Sequence, residues 1–100
     1  MDTFWNQLGS IELSPEEHSR AQEALTLLEK MRGMEALAMW QELEKEHPGN
    51  LAVHLRILHC AYFEIARPFH AGDTADYLTG VIERSQNALT AAAKKDTDNP

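Results

Sequence analysis

Apolar residues recur at intervals of three and four along four stretches of this chain, which is the period of amphipathic helices. The pattern predicts four helices, at about residues 15–31, 34–46, 51–66 and 74–93. The third is apolar on more than one side, so we expect it to be covered by its neighbours. The predicted fold class is all-α, with antiparallel helical hairpins arranged as a stack or a four-helix bundle.

Local signals mark where these helices begin and end. The run Ser14-Pro15-Glu16-Glu17 is a strong helix start, because the serine can cap free amides, the proline suits the first helical position and the second glutamate completes a capping box. Gly33 is expected to close the first helix in the left-handed conformation. Pro48 stops the second helix, and Asn50 is a suitable cap for the third.

The chain has 100 residues, the length of one domain with one modest core. We expect a single helical domain over residues 14–94. An apolar N-terminal segment, residues 1–13, precedes it, and a disordered tail, residues 95–100, follows it.

The charge disfavours two classes of partner. The net charge is −7, and residues 1–50 carry ten acidic and four basic side chains, a net of −6. Binding to nucleic acids or anionic membranes relies on clustered Lys and Arg side chains, so neither is an expected partner of an acidic chain. Cys60 is the single cysteine, which excludes an intrachain disulfide and favours a reducing compartment. With no signal peptide and no membrane span recognisable, we expect a cytoplasmic protein.

Residues 33–66 carry the spacing of a known helical repeat. Ala36, Trp40, Leu43 and Pro48 fall where a small residue, a bulky residue, an apolar residue and a terminal proline recur in that repeat's second helix. Ala36 lets a neighbouring helix approach and Trp40 fills the groove one turn later. The segment thereby resembles the tetratricopeptide repeat (TPR), a family of antiparallel helix pairs. The resemblance implies a TPR-like right-handed stack that binds another protein.

Catalytic chemistry is not indicated by the spacing of reactive residues. His54 and His59 are five apart, about 140° around a helix, so they cannot share one metal ion as an i, i+4 pair would. Cys60 lies in an apolar run, where burial makes a thiol inert. We therefore predict no metal, no cofactor and no enzyme activity. A metal- or thiol-dependent enzyme would require a stoichiometric metal or an acidic thiol.

The predicted function is a protein-interaction module, an adaptor, assembly factor or secretion-type chaperone, that holds a peptide or helix in an apolar groove. The alternative is a structural or regulatory homodimer with no separate ligand. Aromatic residues exceed what so small a core hides, and acidic residues would steer a basic partner. The predicted partner-binding residues are Phe4, Trp5, Trp40, Tyr62, Phe63, Phe69, Tyr77, Glu42 and Glu46. A purely core role is the rival interpretation for the aromatic residues, above all for Trp40 and Tyr62.

Overall fold

A computed structural model describes residues 13–68, residue 70 and residues 72–98, with side chains up to residue 94. Four helices, α1 to α4, make up this part of the chain, and it contains no strand. The all-α fold class is therefore confirmed. The helices are α1 (Pro15–Glu29), α2 (Gly33–Glu46), α3 (Leu51–Ile65) and α4 (Gly72–Asp98).

The predicted caps of α1 and α3 are both present. The Ser14 hydroxyl accepts a hydrogen bond from the Glu17 amide at 3.2 Å, and the Glu17 carboxylate accepts one from the Ser14 amide at 2.9 Å. This capping box satisfies two amides that a helix start leaves free. At α3, the Asn50 side chain accepts a hydrogen bond from the Val53 amide at 3.1 Å. These local sequence signals locate both helix starts correctly.

The turn between α1 and α2 differs from the prediction. Met31, with φ of 65°, takes the left-handed conformation, and Gly33 is already the first residue of α2. The prediction that Gly33 closes α1 is therefore wrong. Arg67 donates a hydrogen bond to the Met31 carbonyl at 2.6 Å, which supports the unusual backbone.

Gly33 is needed for a different reason, the close approach of α3. A Cβ atom at this position would lie 2.7 Å from Cγ of Glu64 and 2.9 Å from Cδ1 of Phe63. Both distances are shorter than van der Waals contact, so only glycine fits unless the Glu64 and Phe63 side chains move.

Glu64 is a buried carboxylate that ties three segments together. It accepts hydrogen bonds from the Met34 amide at 3.1 Å, from Arg67 at 3.1 Å and from the His70 ring at 2.8 Å. The bonded groups belong to the start of α2 and to the connector between α3 and α4, and Glu64 itself belongs to α3. Such partners are what a carboxylate requires when it leaves water.

α3 is the central helix of the described chain. It packs against both α2 and α4, whereas α1 packs against α2 and does not form a packed pair with α4. The molecule measures 46 × 31 × 20 Å, and its short dimension matches two layers of helices about 10 Å thick. Successive packing and two layers suit a stack of helical hairpins better than a closed ring of four helices.

Trp40 belongs to the core of this stack. Its side chain is 2% exposed, and Ala36 and Leu43 on the same helix are fully buried. α3 contributes Val53, Ile57 and Ala61 to the same apolar cluster, and α4 contributes Leu78, Val81 and Ile82.

α4 is longer than the predicted range 74–93. It begins at Gly72 and ends at Asp98, so it includes residues 95–98 of the segment predicted to be a disordered tail. The residues from Lys94 to Asp98 include no glycine or proline, so the helix can continue past residue 93. None of the helices in the described ranges combines the length and the apolar character that crossing a membrane requires.

Candidate functional site

A groove runs along the surface between α2 and α4. It consists of two open depressions, of about 440 and 500 Å³, that meet at Gln41 and Arg84. We call it the interhelical groove. Its lining residues are Ala38, Gln41, Glu42, Glu44, Lys45 and Pro48 on the α2 side and Asp76, Tyr77, Gly80, Val81 and Arg84 on α4.

Two side-chain contacts join the walls of the interhelical groove. The Gln41 amide donates a hydrogen bond to the Tyr77 hydroxyl at 2.8 Å. Arg84 of α4 pairs with Glu44 of α2, again at 2.8 Å. Each contact connects α2 to α4, so together they fix the spacing of the two helices along the groove.

Small and aromatic residues shape the space between these contacts. Ala38 and Gly80, on opposite walls, are both exposed. A Cβ atom added at Gly80 would meet nothing within 4 Å, so the groove is open there. Tyr77 presents an aromatic side chain that is 49% exposed. The groove therefore offers room for a bound chain, together with an aromatic surface that such a chain can contact.

The groove is lined by three acidic and two basic side chains. Lys45 pairs with Glu42 at 3.0 Å, as Arg84 does with Glu44, so both basic groups of the groove are engaged. The Asp76 carboxylate is exposed and has no hydrogen bond or ion pair with the residues that the structure describes. One negative charge is thus left over at the α4 wall.

A second exposed surface lies on α3. Leu55 and Tyr62, which are 43% and 47% exposed, form an apolar depression with Leu58 and His59. We call it the α3 patch. The Tyr62 hydroxyl is hydrogen-bonded to the Gln86 side chain of α4. Gln86 is nine residues from Tyr77, about 180° around the helix, so the α3 patch and the interhelical groove lie on opposite sides of α4.

The residues predicted to bind a partner do not form one surface. Glu42 and Tyr77 line the interhelical groove, whereas Tyr62 belongs to the α3 patch. Glu46 is exposed near the start of α1, where it pairs with Arg20 at 3.2 Å. Phe63 is half-buried, with the guanidinium of Arg67 5.5 Å from its ring centre.

Trp40 requires a correction. It was predicted as a partner-binding residue, with a core role as the rival interpretation, and its burial shows the core role. The indole fills space between α2 and its neighbours and is not available to a partner in this fold. The remaining predicted residues, Phe4, Trp5 and Phe69, lie outside the described residues.

The sequence interpretation missed Gln41, Gly80 and Arg84 as groove residues. Gly80 carried a usable signal, since an isolated glycine within a helical pattern lowers helix stability and often has a packing or binding reason. Gln41 and Arg84 carried none. Their role depends on partners on another helix, at 36 and 40 positions' distance in sequence.

The reactive residues of α3 have structural surroundings. Cys60 is buried, and burial raises the pKa of its thiol to about 11, so it stays protonated and unreactive near neutral pH. His54 is buried beside Ser85, with its Nδ1 3.3 Å from the serine hydroxyl. Its Nε2 lies 3.2 Å from the Pro48 carbonyl, which can only accept, so Nε2 donates in that contact.

This histidine and serine do not make a nucleophilic site. Ser85 has no exposed surface, so a substrate cannot reach it. Glu44 approaches the same ring nitrogen as Ser85, at 3.9 Å, instead of orienting the ring from the opposite nitrogen as in a catalytic triad. The cluster joins the α2–α3 turn to α4 and serves packing.

Comparison with known proteins finds no matching family model, no similar curated protein and no similar solved structure.

Proposed function

We propose that the protein is an interaction module that holds a segment of another protein in the interhelical groove. The observation that carries this proposal is the open space at Gly80, bordered by the exposed Tyr77 ring and continuous with the depression beside Ala38. Grooves between helices are a common binding place for peptides and helices. The resemblance of residues 33–66 to the TPR supports the same class of function.

The chemistry of the groove favours a partner segment with one apolar and one basic side chain. The Tyr77 ring would contact the apolar side chain, since an exposed aromatic residue supplies contact area at low entropic cost. Asp76 would accept from the basic side chain because it has no partner within the described chain. The net negative charge would steer such a segment towards the groove.

Within this class, the protein acts as an adaptor, an assembly factor or a secretion-type chaperone, and the cytoplasm is the proposed compartment. A lone, inert thiol suits a reducing environment. Each of these roles is defined by the protein that is bound. The decisive experiment is therefore one that identifies this partner and shows where it binds.

The proposal is tested by capture from native extract with three forms of the chain. Gly80→Arg fills the groove with a long side chain at a position where no neighbour obstructs it. Thr90→Arg adds the same charge at an exposed site of α4 that does not line the groove. We expect one protein to be captured by the native chain and by Thr90→Arg, but not by Gly80→Arg.

Equal capture by both variants would contradict the proposal. Sedimentation of the purified native chain and of the two variants tests the homodimer alternative. A native dimer that Gly80→Arg converts to a monomer would show that the groove binds a second copy of the chain and not a separate partner.

A further inference from the structure

Glu17, Glu46 and His47 converge away from both surfaces described above. Glu17 lies in the first turn of α1, Glu46 is the last residue of α2, and His47 follows it directly. One ligand atom from each of the three, two carboxylate oxygens and an imidazole nitrogen, lies within 4.8 Å of the others. The antiparallel packing of α1 on α2 brings these positions together.

This donor set has the composition that zinc accepts. Zinc binds imidazole nitrogen and carboxylate oxygen at about 2.0–2.2 Å, with three protein ligands and an open fourth position in many sites. Two carboxylates balance the 2+ charge. The imidazole distinguishes the cluster from a merely acidic surface, because magnesium and calcium prefer oxygen ligands alone.

Two of the three donor side chains are held in place by partial burial and by their contact with each other. The side chains of Glu17 and His47 are 13% and 28% exposed, and Glu17 Oε2 lies 2.8 Å from His47 Nε2. The partial negative charge at the end of α2 favours a cation and the partial positive charge at the start of α1 opposes it, so the two helix ends offset each other and the donor atoms supply the attraction. A modest separation of the two side chains would admit an ion between them.

We propose that Glu17, Glu46 and His47 form a zinc-binding site that joins the start of α1 to the end of α2. Arg20 is its competitor. The guanidinium of Arg20 contacts the two oxygens of Glu46 at 3.5 and 3.2 Å, so a bound ion and Arg20 would share this carboxylate. Removal of the arginine charge should therefore strengthen zinc binding.

Zinc titration of the full-length chain, freed of metal beforehand, tests the proposal with a chromophoric chelator as competitor. We expect one equivalent to bind saturably, and His47→Gln and Glu46→Gln each to weaken binding by at least about tenfold. Arg20→Gln should bind zinc more tightly than the native chain. His59→Gln, at an exposed histidine of the α3 patch, is the matched control and should bind as the native chain does.

X-ray absorption of the zinc complex provides a second readout, with nitrogen and oxygen ligands and no sulfur expected. Circular dichroism of each variant establishes that it is folded. Absence of saturable binding, or equal binding by the native chain, His47→Gln and Glu46→Gln, would overturn the proposal. Sulfur in the coordination shell would also overturn it, because Cys60 would then be the ligand.

Discussion

The side chain of Gln41 on α2 donates a hydrogen bond to the hydroxyl of Tyr77 on α4, at 2.8 Å, across the interhelical groove. Neither residue belongs to the buried core, and about half of Tyr77 is exposed. The pair therefore contributes to the surface that a partner would meet more than to the stability of the stack.

Tyr77→Ala should weaken partner binding and leave the fold nearly intact. The substitution removes the exposed ring and one exposed hydrogen bond, and bonds of this kind contribute only about 0.5–1.5 kcal/mol to stability. We expect a loss of capture from extract together with a urea midpoint close to that of the native chain. Native-level capture would show that the ring is not part of the binding surface.

Trp40→Ala, in contrast, should strongly lower the stability of the fold. Because the indole is buried in the apolar core, its removal leaves a cavity and should lower the free energy of unfolding by about 3–5 kcal/mol. Urea denaturation of Trp40→Ala and Tyr77→Ala under the same conditions compares the stabilities of the two variants. A cost below about 1 kcal/mol would be incompatible with a core role.

Two glycines on different helices should respond to alanine with opposite signs. Gly33→Ala should destabilise the protein by about 1–3 kcal/mol, because the new methyl group would press on Glu64, whose hydrogen bonds hold it in place. Gly80→Ala should stabilise it by about 0.5–1 kcal/mol, since the site is helical, exposed and open. Chemical denaturation of the two variants measures both signs, and a shared sign would contradict the packing described for Gly33.

The capping carboxylate of α1 should make stability fall in acid. In the folded chain the pKa of Glu17 is about 2, against an ordinary value of 4.5. A lowered folded-state pKa means that Glu17 stabilises the fold above about pH 4.5, and that this contribution is lost progressively as the pH falls towards 2.

Glu17→Gln should therefore reduce the difference in melting temperature between neutral pH and acid. Glu16→Gln is the control, since Glu16 is exposed and lies one position away in the same helical turn. If Glu17→Gln and the native chain lose the same stability between pH 4.5 and 2, the lowered pKa does not reflect the folded state.

Helix positions could be predicted from sequence because their signals are local. Ser14 and Asn50 bond to amides three residues away, so the caps are visible in the sequence itself. Apolar periodicity likewise locates the buried faces of the helices. The extension of α4 to Asp98 was missed because polar residues there end the periodic pattern, although the backbone can continue as a helix.

The surfaces could not be predicted because they depend on contacts between distant residues. Position 33 requires glycine because Glu64, a residue on another helix, leaves no room for a Cβ atom there. The prediction from sequence, that Gly33 takes the left-handed conformation and closes α1, was therefore wrong. The pairing of Gln41 with Tyr77 and of Glu17 with His47 depends in the same way on how the helices pack. The sequence indicated that there are more aromatic residues than the core can bury. Which of them are buried, as Trp40 is, and which are exposed, as Tyr62 and Tyr77 are, depends on how the helices pack.

The central claim is that a partner segment binds between α2 and α4, and amide chemical-shift mapping tests it most directly. The segment identified by capture would be titrated into the isotope-labelled chain. The groove account predicts that the largest shifts cluster at residues 38–48 and 76–84, the two walls of the groove. Shifts concentrated at residues 55–62 on the α3 patch, with the groove walls unchanged, would contradict it.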